Sequence, residues 1–281
     1  MESPAKPTQA EPPFGITQPG FQGHAADPHG RPRTRHVGVT FPRTRVPAGG
    51  RTVPIDRHLQ DTVDVLRRPG AVTEVWREAW SDQRFRAEAL LSPLALVAVL
   101  AVMARFLSWV EHRPGVVLAD PLLAWIPPRD VTWLTFGLVY VGLLTTFVLL
   151  LPYPRRLVLG AQAYAVMVLF RMGVMAVTPL EAPPDTIPLR DPLVQVFGTG
   201  EVLTRDLFFS GHTATLALLA LLAPGRTSRR FFVVCTLLVA VCVLWQHVHY
   251  TVDVLVAPFF AFASCELVFA LHPGLRRSRL R

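Results

Sequence analysis

The chain is 281 residues long, 51% of them apolar and only 17% charged, with a formal net charge of +8. That balance argues against a soluble enzyme of this size and suits one membrane domain with an extension. Lys6 is the only lysine, so the basic excess is almost all arginine. With abundant Ala, Val, Leu and Pro, this composition resembles that of a GC-rich bacterial genome. No nucleic-acid partner is expected.

Residues 1–55 are rich in Pro, Gly and Arg and lack hydrophobic periodicity. Such a segment cannot bury enough apolar surface to offset its ordering entropy, and it is predicted to be a disordered cytoplasmic tail. It has no apolar stretch of the kind a secretory signal needs. Its clusters Arg31-Pro32-Arg33-Thr34-Arg35 and Arg43-Thr44-Arg45 suit either solvent or anionic lipid headgroups. Over 56–88, Val72, Val75, Trp76, Trp80 and Phe85 interleave with Glu74, Arg77, Glu78 and Arg84. This pattern predicts one or two amphipathic helices at the membrane interface.

Six apolar stretches follow, at Ala89–Val110, Val131–Leu151, Leu157–Thr178, Leu207–Ala223, Phe231–Gln246 and Val252–Leu271. They predict an all-α polytopic membrane protein with a six-helix transmembrane domain over 89–271 and a basic cytoplasmic tail over 272–281. A crossing helix needs about 20 residues. The fourth and fifth stretches fall short, so their ends are expected in a polar cavity rather than in lipid. Cys235, Cys242 and Cys265 lie within apolar runs at neither metal nor disulfide spacing and are expected to pack as small hydrophobes.

Orientation follows from arginine placement. Arg155 and Arg156 separate spans two and three; Arg226, Arg229 and Arg230 separate four and five; Arg276, Arg277, Arg279 and Arg281 close the chain. The connection after span three instead carries Glu181, Asp185, Asp191, Glu201 and Asp206 against Arg190 and Arg205. The positive-inside rule then places both termini in the cytoplasm.

Two polar blocks interrupt the apolar C-terminal half: Phe209-Ser210-Gly211-His212-Thr213 and His247-Val248-His249-Tyr250-Thr251-Val252-Asp253. Two spans separate them, joined by a hairpin at Pro224-Gly225-Arg226-Thr227-Ser228-Arg229-Arg230. His212 and His249 should therefore meet at one bilayer face, the extracytoplasmic one. On a helix, the four-residue spacing of His249 and Asp253 puts them on one face. A carboxylate there fixes the imidazole tautomer and stabilises its charged form, freeing the other nitrogen to attack phosphorus or move a proton. Ser210 and Gly211 precede His212 at a helix start, where free N–H groups and the helix dipole hold an oxyanion. His212 can then protonate the leaving oxygen. His247 should point away and serve packing. No Glu-His pair at metalloprotease spacing and no Cys pair appears, so neither metal nor cofactor is expected.

Arg171 lies inside span three, roughly 10 Å from its outer end. A buried arginine needs a partner. Arg171 either grips a substrate phosphate or pairs with Asp206 or Asp253. Arg105, inside span one, is expected to snorkel or pair rather than catalyse.

These blocks resemble the third and fourth signature blocks of the sphingomyelin synthase family, within the type 2 phosphatidic acid phosphatase (PAP2) superfamily. Ser210-Gly211-His212-Thr213, with Asp206 and Phe209 ahead of it, is similar to the third, and His249-Tyr250-Thr251-Val252-Asp253 to the fourth. Phe170-Arg171 with Thr178-Pro179 resembles the second, and Leu118-Ala119-Asp120-Pro121 the first. The resemblance implies six helices, cytosolic termini, an exoplasmic site and a catalytic triad of His212, His249 and Asp253. It implies transfer of a phosphocholine or phosphoethanolamine headgroup from a glycerophospholipid to ceramide, leaving diacylglycerol. Ser210, Gly211, Arg171, Asp206 and Tyr250 are then the candidate contacts to the substrate phosphate, and membrane lipids are the partners. Thr204-Arg205 departs from the family's Cys-Gly, and the family's N-terminal helical domain is replaced by the Pro/Arg tail. Cys242 and Val243 stand where lipid phosphatases of the superfamily carry Ser-Arg. Three readings stay open: a lipid headgroup phosphotransferase with ceramide, diacylglycerol or another lipid alcohol as acceptor; a lipid phosphate phosphatase with water as acceptor; and a non-catalytic transporter or membrane partner. Neither the headgroup nor an oligomeric state is legible.

Overall fold

The computed structural model describes residues 57–190 and 203–272. The predicted disordered tail, the basic segment after His272, and Asp191 and Glu201 lie outside the described residues. Within them the chain is helical throughout: α1 (Arg57–Arg67), α2 (Ala71–Ser81), α3 (Gln83–Glu111), α4 (Thr132–Leu150), α5 (Pro154–Val177), α6 (Gly211–Leu222), α7 (Gly225–Trp245) and α8 (Thr251–Leu271). A short 3₁₀ turn at Leu123–Trp125 and an isolated parallel bridge between Val116 and Leu180 complete the described structure.

Five helices, α3, α4, α5, α7 and α8, are long and apolar enough to cross a membrane. Their outward faces carry exposed Leu94, Val97, Leu134, Leu144, Val234, Leu237, Leu255 and Phe259. An aqueous surface does not tolerate apolar area on that scale, so these faces are those of a polytopic membrane protein. The sixth apolar helix, α6, has 12 residues, about 18 Å of rise, less than the roughly 30 Å of a hydrocarbon core. It is apolar on all sides, with nine of its residues buried, and α4, α5, α7 and α8 all pack against it. That is the pattern of a helix enclosed by others. Leu218 and Leu222 join a core with α5 and α8, while Leu216 and Leu219 join one with α4 and α7. The three cysteines are buried, Cys235 and Cys265 within these cores.

Three boundaries differ from the sequence reading by about four residues or more, each for a local reason. The interfacial segment runs into the first span, because α3 starts at Gln83 rather than Ala89, directly after Asp82 caps it by accepting from Arg84 N–H (2.9 Å). The fourth span begins at Gly211 rather than Leu207, since Ser210 is its N-cap. The fifth is not short. The predicted basic hairpin is the first turns of α7, which spans 21 residues, with Arg226, Arg229 and Arg230 exposed around its start.

Cross-links fasten both ends of the bundle. At one end Trp76 donates to Leu151 O (2.9 Å), Arg155 bonds Asp82 (2.6 Å), and Thr62 meets the Tyr153 hydroxyl (3.0 Å). These hold α1 and α2 against the α4–α5 turn. At the other end Arg113 caps the last carbonyls of α5 at Met175 and Ala176 (2.6 and 2.7 Å). Glu111 accepts from Thr204 N–H, the Thr204 hydroxyl and Arg205 N–H (3.0, 2.6 and 3.0 Å). The segment leading into α6 is thus tied to the end of α3.

Candidate active site

The second end carries a cavity of about 340 Å³ bounded by α3, α4, α5, the start of α6 and the turn before α8. Arg171, Asp206, Gly211, His212 and His249 line one part of it. Leu100, Met103 and Leu107 of α3, Phe136 and Val139 of α4, and Met167 and Val168 of α5 line another part, and the α5–α6 connection adds residues that include Arg190 and Thr204. The α3 residues share one helix face, as do those of α4. From Leu107 to Leu100 the wall descends about 10 Å along α3. The cavity is therefore polar at the helix ends and apolar deeper between the helices.

His212 is the second residue of α6 and packs edge-on against the Phe136 ring, 5.5 Å between centroids. Ser210 Oγ accepts from Thr213 N–H (3.4 Å) and is within 3.1 Å of the Thr213 hydroxyl. Ser210 is thus a fully buried cap that fixes the start of α6, and its hydroxyl is committed within the protein.

His249 and Asp253 do pair, Nδ1 to Oδ2 at 3.3 Å, but not on one helix face. His249 lies before α8, whose N-cap is Tyr250 and whose third residue is Asp253. The Asp253 carboxylate reaches back over the helix start, with Oδ2 also accepting Tyr250 N–H at 3.1 Å. That is the N3 arm of a capping box. His249 lines the cavity, while Asp253, with no exposure, stands behind it.

Arg171 pairs with Asp206 and not with Asp253. Its Nη2 donates to Asp206 Oδ1 (2.8 Å) and to the Asp206 carbonyl (3.3 Å). Its Nη1 crosses the start of α6, where a Cβ on Gly211 would lie 1.5 Å from it. Glycine is the residue that permits this approach. Only Nη2 is bound to Asp206, and Arg171 lines the cavity with Nη1 at the start of α6. Arg105 is exposed on α3 and is not among the cavity residues.

Tyr250 does not line the cavity. Its hydroxyl donates to Glu181 O (3.0 Å) and accepts from Leu118 N–H (3.1 Å), and the residue is 1% exposed. Burial pushes its phenol pKa up, which keeps the hydroxyl a donor. His247 likewise faces backbone, with Nε2 2.8 Å from Ile126 O and Nδ1 3.3 Å from Pro184 O. Both tie connecting segments onto the ends of α7 and α8.

The sequence reading missed two groups. Glu111 holds Thr204 and Arg205, and Arg205 Nε reaches Glu181 at 2.8 Å. That bond, then one from Gly115 N–H, holds the Glu181 carboxyl below its ordinary value. The Thr204-Arg205 departure thus has partners that fix the segment leading to Asp206. The second is Asp120, whose Oδ2 accepts Thr251 N–H (2.6 Å) and whose Oδ1 accepts the Thr251 hydroxyl (2.9 Å), Leu122 N–H (3.0 Å) and Leu123 N–H (3.3 Å). Burial opposes its ionisation, but the hydrogen bonds from Thr251, Leu123 and Leu122 outweigh it and hold the carboxyl below its ordinary value. Only the likeness of Leu118-Ala119-Asp120-Pro121 to a family block signalled it.

Residues 205–271 match the family model described as PAP2 superfamily C-terminal. This stretch contains both polar blocks and α6 to α8. The chain is 32% identical over 148 residues to phosphatidylcholine:ceramide cholinephosphotransferase 2 of Mus musculus, covering 43% of this chain and 40% of that protein. It is 42% identical over 62 residues to the Homo sapiens protein of the same name, covering 20% of this chain and 17% of that one. A Caenorhabditis elegans phosphatidylcholine:ceramide cholinephosphotransferase 1 is 37% identical over 90 residues, 27% of this chain and 18% of that protein. The chain thus spans less than half the length of each of these relatives.

Proposed function

We propose, for a chain that belongs to the PAP2 superfamily as a sphingomyelin synthase-like member, that it moves a phospho-headgroup between membrane lipids through His212, His249 and Asp253. The observation that carries this reading is the placement of two histidines from separate blocks on one cavity, with a carboxylate behind one of them and an arginine beside the other. The donor is a glycerophospholipid with a phosphocholine or phosphoethanolamine headgroup; the acceptor is a lipid alcohol, ceramide or diacylglycerol. The apolar depth between α3, α4 and α5 suits the lipid chains and the polar end suits the phosphate.

Asp253 accepts the His249 Nδ1–H, leaving Nε2 as the nucleophile. Nε2 bonds to phosphorus as the bond to the diacylglycerol oxygen breaks, and His212 gives that oxygen a proton. The acceptor hydroxyl then loses its proton to His212 and attacks phosphorus, breaking the P–N bond and returning His249 to its starting state. Arg171 and the N–H groups at the start of α6 offset the phosphate charge. The end of the bundle that bears Arg155, Arg156, Arg226, Arg229 and Arg230 faces the cytoplasm, and the cavity opens on the other side.

The test is reconstitution in liposomes with a labelled donor and acceptor. The expected result is diacylglycerol and a new phospholipid in equal amounts from the native protein, none from His249→Ala, and a loss on the order of a hundredfold or more from Asp253→Asn. Free phosphocholine or phosphoethanolamine in place of the new lipid marks water as the acceptor. Native turnover by His249→Ala, with the protein inserted, refutes the triad.

A further inference from the structure

We propose that Asp120, on the connection between α3 and α4, is a positioning residue that keeps Asp253 on His249 by occupying the backbone donor that competes for it. The proposal rests on the phosphotransfer reading given above. A helix start leaves several N–H groups without intrahelical acceptors. At the start of α8 two of these are in play beside Asp253. Tyr250 N–H goes to Asp253 Oδ2, the same oxygen that faces His249. Thr251 N–H goes to Asp120 Oδ2 at 2.6 Å, the shorter contact. Two carboxylates therefore divide one helix terminus, and only one of them is paired with the cavity histidine.

Asp253 Oδ1 is buried and has no hydrogen-bond partner. A fully buried carboxylate oxygen in that state takes any donor that becomes free nearby. Removing Asp120 frees such a donor two residues away in sequence, on the terminus that Asp253 already overhangs. Turning the carboxylate onto Thr251 N–H draws Oδ2 from His249 Nδ1, whose contact at 3.3 Å is the longer of the two that oxygen makes. Asp120 prevents this from outside the triad. Its other oxygen is anchored by Leu122 and Leu123 N–H, so the side chain belongs to a rigid turn. Tyr250 fastens the same turn through Leu118 N–H.

The competing donor can be deleted without adding an acceptor. Thr251 is the first residue of α8, the position where proline is favoured because its N–H is not needed by the helix. Tyr250 before it has φ −74° and ψ 157°, a conformation that a following proline requires. Thr251→Pro therefore removes the N–H and retains the helix.

The experiment compares the native protein, Asp120→Ala and its double variant with Thr251→Pro in liposomes. Each is also followed by the proton resonance of the His249 Nδ1–H in selectively labelled protein. For Asp120→Ala we expect kcat to fall on the order of tenfold, with KM for the lipid donor unmoved and the His249 resonance shifted upfield. Thr251→Pro alone brings its ring against Asp120 Oδ2, which now sits 2.6 Å from that nitrogen, so it serves only as the background of the double variant. The double variant should recover both kcat and the resonance, since no competing donor remains. A purely structural role for Asp120 predicts no recovery, because Asp120→Ala already removes both Asp120–Thr251 bonds and the proline restores neither. Native kcat in Asp120→Ala, a loss confined to KM, or no recovery on adding the proline each overturns the proposal. Absence of lipid transfer from the native protein sinks the reaction assignment instead, and the resonance still decides the positioning role.

Discussion

Gly211→Ala isolates the approach of Arg171 to the start of α6. The new Cβ would lie 1.5 Å from Arg171 Nη1 and 2.7 Å from its Cζ. Nη1 must move by about 2 Å to reach ordinary contact, and because the guanidinium is rigid this displaces Nη2 from its bonds to Asp206, now 2.8 and 3.3 Å. The pair is partly shielded, with 11% and 29% side-chain exposure. Its loss should cost about 1–2 kcal/mol, discounted for that exposure. Alanine returns up to about 1 kcal/mol over glycine in a helix, less at its first residue. Stability should thus fall only slightly. Activity should fall far more, on the order of a hundredfold, because a preorganised donor to the phosphate has moved. The assay pairs transfer rates in liposomes with thermal unfolding in detergent. The control is the same substitution in an Arg171→Ala background, where the clash has no partner and Gly211→Ala should have no further effect. Native activity in Gly211→Ala, or equal added losses in both backgrounds, would refute the reasoning.

Orientation is testable by labelling, since the three native cysteines are buried: a cysteine at exposed Ala119 should react with an impermeant thiol reagent in intact cells, and one at exposed Thr227 only after permeabilisation. The opposite pattern inverts the topology. A covalent histidine intermediate predicts parallel initial-rate lines when donor and acceptor are varied, inhibition by vanadate, and activity that persists in EDTA; intersecting lines point instead to direct transfer between two bound lipids. Asp120 should make stability depend on acid. Its folded pKa is lowered from the ordinary 3.8, so its contribution is present above that value and is lost as pH falls through the folded one. Asp120→Asn should be less stable than the native protein at neutral pH and converge with it on acidification below about pH 4; a gap that is constant with pH would show that the carboxylate's charge contributes nothing.

The succession of apolar helices and the pairing of the two polar blocks were legible because each is written in contiguous residues. Runs such as Thr132–Leu150 declare a crossing helix by composition alone, and strict alternation of spans brings His212 and His249 to one end. The boundaries that shifted lie where charge and helix coexist. Arg226, Arg229 and Arg230 read as a turn because arginine is costly in lipid, yet at a helix start they extend outward and cost the fold nothing. Composition marks where the apolar core begins; it does not mark where the backbone starts to coil.

The pairing of His249 with Asp253 shows a harder limit. The four-residue spacing led to the right contact through the wrong geometry, since one helix turn and an N3 carboxylate reaching back over its own cap both bring residues i and i+4 together. The difference is consequential. On a helix face Asp253 would depend only on its own helix. As an N3 side chain it shares a terminus with every other acceptor there, and so its aim depends on Asp120 from a connection 131 residues earlier in the chain. No local pattern encodes that dependence. It arises only when the α3–α4 connection folds over the start of α8, and it makes the α3–α4 connection, not only the histidine blocks, part of what sets the geometry of the site.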